Sequence, residues 1–435
     1  SHGRARRKNF GRQVVDQVGM AKTSCGGGTF VKRREYSLVS LSLHDRAPPM
    51  TGIETVVIGG GPAGAGTAAA LASLGREVLL LEKNSVPTHK VCGEFLSAEA
   101  QHHLAELDVD PRALGAVPVE RVALSSGRSL ATRDLPFGGL SLSRRRLDQA
   151  LLDRAERNGA MVMRGAPARS AVRSRTGWNV QVAGSEGAIR CRHLVIATGK
   201  IPLRGFEDGR ALSSVGLKMH LRVEAGIPES VRRRTLLLFF EQGYAGLQPV
   251  GVDTVNLCWL VPSALAKQLR RNWDAWRAYL VQRAPVLAGI VAGEPLWKQP
   301  LSVACPSGAY LHRGAEPLAF RVGDRIAHIP PFTGDGLGIA LATAALAAGH
   351  IARNESAGDF ARAVEGQLRR SLNTASVLSR IGRSRAGMVI ATGAAACVPR
   401  LLDVAVRQTR IPAVANELSL AAVTKGWRWS HGHTI

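Results

Sequence analysis

The amino-acid sequence predicts an α/β fold in which a nucleotide-binding domain is combined with an antiparallel β-sheet domain and a C-terminal helical tail. Three observations predict it. A glycine-rich turn joins a β-branched run to an alanine-rich run near residue 60, short alternating runs recur over 206–314, and the tail is basic with helical periodicity. With 435 residues and an apolar content of 45%, the chain is long enough for two or three domains with packed cores.

The first element is the strand–turn–helix unit of a Rossmann-type domain. Thr55–Ile58 is a β-branched run typical of a buried parallel strand, and the GGGPAG that follows fits the GxGxxG pattern. Gly59 permits the tight turn, Gly61 lets the backbone approach a pyrophosphate, and Gly64 lets the helix pack close to the strand. A helix predicted over Ala65–Leu74 directs its first N–H groups at the phosphates.

The second strand of this unit, Glu77–Leu81, ends at Glu82. A carboxylate at this position accepts hydrogen bonds from both ribose hydroxyls of an adenosine and repels a 2′-phosphate, so NADP is disfavoured here. We predict Glu82 and the adjacent Lys83 as cofactor-binding residues. The glycines alone are weak evidence, but strand, turn, helix, second strand and terminal Glu together strongly indicate a dinucleotide site.

The choice between FAD and NAD depends on the distant C-terminal half of the chain. There a short strand ends in Gly323-Asp324, and an alanine-rich helix is predicted over Ile339–Ile351. The start of that helix is rich in glycine, at Gly334, Gly336 and Gly338. A carboxylate at a strand end can contact a polyol chain, and bare N–H groups can face a carbonyl that carries partial negative charge. FAD has both a polyol, its ribityl chain, and such a carbonyl, at the N1–C2=O edge of the flavin. NAD has neither, so the sequence predicts FAD.

The paired motifs GGGPAG and GDRIAHIPPFTGDGLGIA resemble those of the glutathione-reductase-type flavoproteins of the p-hydroxybenzoate hydroxylase class. More narrowly, the chain is similar to the geranylgeranyl reductase-like branch over roughly residues 52–370. The segment HKVCGEFLS is similar to the branch's Cys-Gly segment, so the resemblance places Cys92 beside the flavin. The segment SRRRLDQAL matches a helix start at which an Arg helps to hold FAD, which maps onto Arg144.

The segment YAGLQPVG resembles the branch's substrate-site motif and keeps its Tyr, Tyr244, and its Pro. It has Gly246 and Gln248 where aromatic residues are usual. At the position of Thr198, hydroxylases of the class often carry an Asp that takes part in the use of both FAD and NADPH. Its replacement by Thr argues against NADPH binding in the manner of those hydroxylases.

Cys92 and Tyr244 are therefore the predicted catalytic residues. Each also has a plain structural interpretation, since a free Cys is a common small core residue and a Tyr on a strand often packs on the sheet face. Glu94 is a candidate acid or a charge at a helix start. His328 fits a structural hydrogen-bonding role better than contact with flavin, and Asp335 fits a turn-stabilising role better than catalysis.

The domains follow from these motifs. We expect residues 1–49 to be a basic extension of little order, and residues 50–205 with 315–370 to form a discontinuous FAD-binding domain. Residues 206–314 are expected to form the substrate domain, with an antiparallel sheet and a helix over Ala264–Ala284, and residues 371–435 the C-terminal helices.

The resemblance implies an FAD-dependent oxidoreductase that acts on an apolar small molecule or an isoprenoid-like lipid chain and reduces C=C bonds by hydride transfer from flavin N5. The alternative is a flavin-dependent monooxygenase acting on a polyketide, an aromatic compound or an alkene, because one scaffold serves both reactions. A non-catalytic FAD-binding protein is a further alternative. The sequence has no second GxGxxG, so the electron donor is expected to be NAD(P)H bound transiently or a partner reductase.

The formal net charge of +24 predicts anionic partners. Nucleic acid is not expected, because aromatic residues make up only 5% and do not interleave with the basic ones in a recognisable module. An acyl-carrier protein and a membrane surface remain as candidates beside the hydrophobic substrate. The six Cys are scattered without ligand spacing, so we expect no metal site and a cytoplasmic setting. No apolar run reaches 18 residues, so no membrane-spanning helix is expected. The amphipathic basic helices of the tail fit packing on their own domain with a solvated face better than the alternative, a position on an acidic membrane surface.

Overall fold

The computed structural model describes residues 51–126, 129–207, 211–224, 226–306, 308–314, 316, 318–382, 384–398 and 400–411. The predicted basic extension over 1–49 and the last part of the predicted tail, 412–435, lie outside the described residues.

The described residues form strands and helices in the order expected for an α/β chain. The strands are β1 (Thr51–Ile58), β2 (Val78–Glu82), β3 (Phe95–Leu96), β4 (Val117–Ser126), β5 (Ser129–Ser141), β6 (Met161–Arg164), β7 (Ala168–Arg173), β8 (Trp178–Val182), β9 (Ala188–Ile196), β10 (Ser214–Arg222), β11 (Arg234–Phe240), β12 (Gly243–Pro249), β13 (Thr254–Pro262), β14 (Glu294–Pro295), β15 (Leu301–Cys305), β16 (Tyr310–Leu311), β17 (Ala319–Arg321) and β18 (Ala327–His328). The α-helices are α1 (Pro62–Ser73), α2 (Ala98–Glu106), α3 (Arg144–Arg157), α4 (Ser263–Leu269), α5 (Trp273–Arg283), α6 (Ala288–Val291), α7 (Gly336–Ala352), α8 (Ala357–Ile381), α9 (Arg385–Cys397) and α10 (Arg400–Thr409).

The first sheet is the layer that carries the glycine-rich turn. Its parallel part has the order β6–β2–β1–β9–β17, and β9 also pairs antiparallel with β8, which pairs with β7. Side chains alternate between two cores: Val57 and Leu80 face the helices α1, α3 and α7, whereas Val56 and Leu79 face the β7–β8 side. Both faces of the sheet are therefore covered, and the predicted α/β fold with a Rossmann-type domain is confirmed.

The second sheet has the order β14–β10–β13–β12–β11–β4–β5–β3, with β15 on β10. All its pairs are antiparallel except β4 with β11, which is parallel from Arg121↔Arg234 onwards. The strands β4 and β5 thus join this sheet although their positions fall inside the predicted 50–205 segment of the FAD-binding domain. Strand β11 needs a hydrogen-bonding neighbour, and β4 supplies it from more than a hundred residues away, a pairing that local sequence patterns do not reveal.

One face of the second sheet is covered by a tryptophan-rich helix. The predicted helix over Ala264–Ala284 is two helices, α4 and α5, because Arg270 adopts a left-handed conformation with φ of 53°. Trp276, which is fully buried, packs against Trp259 of β13 with ring centroids 5.5 Å apart. The opposite face is left for the functional site.

The C-terminal helices pack on both sheets. Helix α8 lies against α7 and α10, and α9 lies against β4 and β5. An ion pair of 3.1 Å between Arg133 Nε and Asp403 Oδ1 ties α10 to β5. Within the described residues no single helix is long and apolar enough to cross a membrane; Ala386–Cys397 and Arg400–Thr409 pass that test only as a pair, bent by 115°.

Candidate flavin site and adjoining cavity

The glycine-rich turn after β1 forms a cradle that side chains would fill. Gly59 has a φ of 109°, and a Cβ there would lie 2.5 Å from the carbonyl oxygen of Ala197. A Cβ on Gly64 would lie 1.9 Å from the carbonyl oxygen of Gly59, so α1 approaches β1 as closely as the motif requires. Helix α1 begins at Pro62 with Gly61 as its N-cap, and no side chain caps it. Its first N–H groups are therefore available to an anion.

Glu82 is positioned by the same turn. Its Oε2 accepts a hydrogen bond of 2.7 Å from the backbone N–H of Gly60, and its Oε1 accepts from the side chain of Asn84 at 2.7 Å. The carboxylate is thus oriented at the end of β2, beside the N-terminus of α1. Lys83 follows it and is exposed.

Asp324 lies where the second glycine motif meets the first. Gly323 has a φ of 58°, and a Cβ there would lie 2.9 Å from the Cβ of Ala63, the second residue of α1. Lys200 Nζ lies 2.8 Å from Asp324 Oδ2, and His328 Nδ1 lies 3.4 Å from Oδ1. Burial opposes the charge of Asp324, but Lys200 and His328 hold its pKa well below the usual range. The carboxylate is therefore ionised at neutral pH.

The start of α7 is a second uncapped helix N-terminus. Gly334 adopts the left-handed conformation with φ of 74°, and no side chain caps the helix. Asp335 turns away instead: its Oδ1 accepts a hydrogen bond of 2.9 Å from Ser97 Oγ, and its Oδ2 accepts one of 3.0 Å from the backbone N–H of Ile411. A Cβ on Gly338 would lie 2.7 Å from Asp335 Oδ1, so glycine is needed there. Gly336, by contrast, is exposed and has open space beside it.

These features fit FAD. Two helix N-termini without side-chain caps, a carboxylate at the end of β2 and an ionised carboxylate after β17 converge, because α1 packs against α7 and Gly323 touches Ala63. The arrangement offers N–H donors to a pyrophosphate and to a carbonyl edge, and acceptors to two sets of hydroxyl groups.

Arg144 lies beside the first turn. A Cβ on Gly61 would be 3.5 Å from its guanidinium, which donates to Asp148 through Nε at 2.8 Å and through a terminal nitrogen at 3.0 Å. Burial alone would lower the pKa of Arg144, but the neighbouring Asp148 and Cys92 raise it. The guanidinium is thus a fixed positive charge between the predicted cofactor turn and the Cys92 segment.

Hydrogen bonds hold the segment around Cys92, residues 89–97, against the second sheet. The carbonyl oxygen of Cys92 accepts from Cys258 Sγ at 3.0 Å and from Asn256 Nδ2 at 3.1 Å, and Asn256 also donates to Gly93 at 2.8 Å. The thiol of Cys92 accepts a bond of 3.3 Å from the backbone N–H of Glu94. The half-buried Cys92 therefore lies against β13 of the second sheet.

Glu94 is the centre of a buried charge cluster. Its Oε1 lies 2.5 Å from Lys218 Nζ and accepts a 2.8 Å bond from the backbone N–H of Arg144, and its Oε2 lies 2.8 Å from His220 Nε2. Glu94, Lys218 and His220 are almost completely inaccessible to solvent. Burial would raise the pKa of Glu94, but Lys218 and His220 lower it to about 2. A charged Glu94 has no proton to donate, so this geometry favours the second interpretation of Glu94, a charge at a helix start, here at the first residue of α3.

His89 completes this cluster on its outer side. Nitrogen atoms of His89 and His220 and an oxygen of Glu94 lie within 4.8 Å of one another, a spacing that suits a metal ion. Burial together with His220 and Lys218 lowers the pKa of His89 to about 4, so its imidazole is neutral at pH 7. Lys218 Nζ, 2.5 Å from Glu94 Oε1, already supplies the positive charge that balances Glu94. The cluster is better described as a structural ion network.

An apolar cavity of about 570 Å³ lies between the second sheet and the C-terminal helices. It extends from the turn Pro331–Gly334, directly before α7, to α8, α9 and α10. Tyr244 lines it, and its ring packs against Phe239 and Phe332 with centroids 5.8 and 6.0 Å away. Burial raises the pKa of Tyr244 well above its usual value, so its hydroxyl keeps the proton at neutral pH.

The two departures from the substrate motif shape this cavity. Gly246 lines it, and a Cβ there would be 3.4 Å from Leu237, so a large side chain at 246 would extend into the free space. Gln248 is buried, donates from Nε2 to Ser141 Oγ at 2.8 Å and accepts from Thr235 Oγ1 at 2.7 Å. A polar group thus stands on an otherwise apolar wall with its hydrogen bonds satisfied.

Sequence reasoning missed Lys200, Lys218 and His220. A signal for the last two was present: in GLKMHLRV the polar residues alternate with Leu217, Met219 and Leu221, which the structure buries in the sheet core. Two chargeable side chains on one face of a strand that is otherwise apolar indicate a partner, but not which one. Lys200 follows the end of β9, the same sheet edge as the glycine-rich turn.

Comparisons with known proteins agree with this geometry. Residues 33–120 and 54–218 match the family described as pyridine nucleotide-disulphide oxidoreductases. The menaquinone reductase of Mycolicibacterium smegmatis is 26% identical over 332 residues, which cover 68% of this chain and 76% of the relative. The digeranylgeranylglycerophospholipid reductase of Methanoculleus marisnigri is 24% identical over 333 residues, which cover 71% and 79%.

Solved structures share the fold at lower identity. The flavin-dependent brominase Bmp2 superposes with a TM-score of 0.70 at 19% identity, over 87% of this chain and 99% of that one. The myxobacterial chondrochloren halogenase CndH, an FAD-dependent halogenase, gives a TM-score of 0.68 at 18% identity, over 87% and 97%.

The fold, the site and the family match together define a class of protein, the FAD-dependent oxidoreductases. The predicted class is therefore confirmed. Within it, this chain is similar to reductases by sequence and to halogenases by fold, and the predicted geranylgeranyl reductase likeness is present at low identity.

Proposed function

We propose that this protein is an FAD-dependent reductase that adds hydrogen across a C=C bond of an isoprenoid-like lipid chain. The observation that carries the proposal is the apolar cavity of about 570 Å³ beside the turn Pro331–Gly334. Among the described residues no carboxylate lines it, and Arg410 is its one charged lining residue. Such a wall favours a hydrocarbon chain over a polar substrate.

The sequence relatives support the same substrate class. The two named above are a menaquinone reductase and a digeranylgeranylglycerophospholipid reductase. Menaquinone and digeranylgeranylglycerophospholipid are both lipids with isoprenoid chains. The aromatic residues expected at positions 246 and 248 are absent here, which leaves more room in the cavity than the substrate motif of the branch implies.

The chain's residues supply the binding groups for the cofactor. The start of α1 with Gly59, Gly61 and Gly64 would hold the pyrophosphate, and Glu82 would accept bonds from the adenosine ribose. Asp324 would accept bonds from the ribityl chain, and the start of α7 would face the carbonyl edge of the flavin. When bound, FAD supplies the hydride for the reduction. Lys200 and Arg144 contribute fixed positive charge beside the predicted flavin position.

Two side chains are the proposed proton donors of the reaction. Tyr244 lines the cavity with a protonated hydroxyl, and Cys92 lies next to Gly93, which also lines it. Either O–H or S–H can deliver a proton to the carbon that does not receive hydride. The apolar walls offer few other polar groups, so such a side chain is the proposed proton source.

The proposal is tested with the FAD-loaded protein reduced by dithionite under anaerobic conditions. Adding digeranylgeranylglycerophospholipid in detergent should accelerate flavin reoxidation, and mass spectrometry should find two added hydrogens per reduced bond in the chain. Menaquinone is a second probe. Because its quinone ring also accepts hydride, the mass of the fragment that contains the isoprenoid chain shows whether the chain itself was reduced. We expect one of the two variants Tyr244→Phe and Cys92→Ser, the one that removes the proton donor, to slow the step about a hundredfold with FAD content unchanged. Tyr279→Phe, on the other side of the sheet, is the matched control. No chain reduction with either lipid would overturn the proposal.

A monooxygenase acting on an alkene, aromatic compound or polyketide is the second candidate, favoured by the likeness to the brominase and halogenase structures. It predicts substrate-dependent incorporation of an atom from labelled oxygen into the product. The electron donor is proposed to be NAD(P)H or a partner reductase, and direct flavin reduction by NADH or NADPH in stopped-flow separates the two.

A further inference from the structure

Exposed large apolar side chains are unusually frequent on the C-terminal helices among the described residues. Of the sixteen large apolar residues that are prominently exposed within the described residues, seven lie between positions 377 and 404. They are Val377, Ile381, Val389, Ile390, Val398, Leu401 and Val404. Such a concentration on one part of a surface indicates a binding face.

Helix α9 has two faces of different surroundings. Met388, Thr392 and Ala395 are buried towards the cavity and β5. Its outer side presents Val389 and Ile390, which are 47% and 70% exposed, together with Ala386 and Cys397 at helical spacing. No charged residue occurs from 386 to 398. A solvent-facing helix side without any charge is unusual for a globular protein.

Positive charge is frequent on the same C-terminal helices. Between residues 366 and 411 the chain has eight Arg and no Lys, and its one acid, Asp403, is paired with Arg133. Arg369, Arg370, Arg380, Arg400 and Arg407 are exposed. Helices that carry both exposed apolar side chains and exposed Arg are complementary to an anionic lipid leaflet, with its negative headgroups and apolar interior. A second copy of this chain would bring the same positive charges together and be repelled.

The cavity opens on the same side. Ile381, Leu401 and Val404 line it and are also 40, 49 and 55% exposed, so they lie at its mouth. A lipid chain that passes from a bilayer into this mouth does not have to expose its hydrocarbon to water. The apolar docking side and the entrance to the cavity are thus formed by the same helices.

We propose that the surface formed by Val389, Ile390, Leu401 and Val404 docks into an anionic membrane leaflet and takes its lipid substrate directly from it. The lipid substrate rests on the proposed function. The docking itself does not, because it is measured without turnover.

The test uses the full-length, FAD-loaded protein and vesicles of phosphatidylcholine with or without phosphatidylglycerol. We expect it to sediment with the anionic vesicles and to be released by salt. The double variant Val389→Asp/Ile390→Asp should bind at least about tenfold more weakly, and Arg407→Gln about fivefold. Val252→Asp, at a 91% exposed apolar residue between β12 and β13, is the matched control and should bind like the wild type. Unchanged FAD content in each variant verifies the fold.

Equal sedimentation of the double variant and the wild type would overturn the proposal, as would no binding to anionic vesicles. An environment-sensitive label on Ile390→Cys, in a Cys25→Ser/Cys397→Ser background, gives an independent reading. We expect its emission to shift only when vesicles are added. Emission typical of an apolar environment before vesicles are added would mean that residues 412–435 or a second copy covers the surface. A shift on adding an acidic carrier protein alone would assign the surface to that partner. Each of these results contradicts membrane docking.

Discussion

Glu94 connects the first residue of α3 with β10 of the second sheet through a buried carboxylate, and replacing this carboxylate tests the described geometry. Glu94→Gln keeps the size of the side chain but leaves the ammonium of Lys218, 2.5 Å away and inaccessible to solvent, without its counter-charge. The pKa of Glu94 is lowered from 4.5 to about 2, which corresponds to about 3 kcal/mol of stabilisation by the charged form. Breaking a buried ion pair by removing one partner costs about 3–5 kcal/mol, in agreement.

The sign of the pH dependence follows from the direction of the shift. Because the pKa is depressed in the folded state, the contribution of Glu94 is complete above pH 4.5 and is lost as the pH falls through about 2. The difference in free energy of unfolding between wild type and Glu94→Gln, from urea titrations, should be about 3 kcal/mol at pH 7 and about 1.5 kcal/mol at pH 3. The matched control is Glu294→Gln, which removes the exposed ion pair with Arg222 and should cost less than about 0.5 kcal/mol.

A double variant sharpens this test. Adding Lys218→Met to Glu94→Gln removes the stranded charge and should recover part of the loss, so the two effects are not additive. A cost for Glu94→Gln as small as that of Glu294→Gln, with no recovery in the double variant, would refute the buried-network reasoning.

Three further predictions concern the cofactor site and the cavity. Gly64→Val should abolish FAD binding in a fluorescence titration, because a Cβ there would lie 1.9 Å from a backbone oxygen; Gly366→Ala, in open space on α8, should leave it unchanged. Asp324→Asn should weaken FAD binding more than about tenfold at pH 7, since it removes the ionised carboxylate beside Lys200; a Kd equal to that of the wild type would contradict the proposed ribityl contact. Gly246→Phe should lower kcat/KM for long-chain lipids more than about tenfold and leave the FAD Kd unaltered, because the new ring fills the cavity next to Leu237; undiminished turnover would place the substrate elsewhere.

The sequence by itself determined the nucleotide-binding unit. Thr55–Ile58, the three glycines and Glu82 act within one short stretch, so their spacing alone predicts strand, turn and helix, and the structure places them in one cradle. The helix starts a little earlier than predicted, at Pro62, since proline is favoured at the first helical position. The pairing of the glycine-rich turn with Gly323-Asp324 was also predictable, through the resemblance of both motifs to one class.

Only the tertiary structure decided which distant groups meet. Lys200 lies against Asp324, which is 124 residues further along the chain. Lys218 and His220 lie against Glu94, and His220 is 126 residues away from it in sequence. Local periodicity carries no information on such contacts, because it reports which face a side chain occupies and not what lies opposite. For the same reason the parallel pairing of β4 with β11, and the cavity formed where the second sheet meets α8–α10, emerge only when the chain is folded.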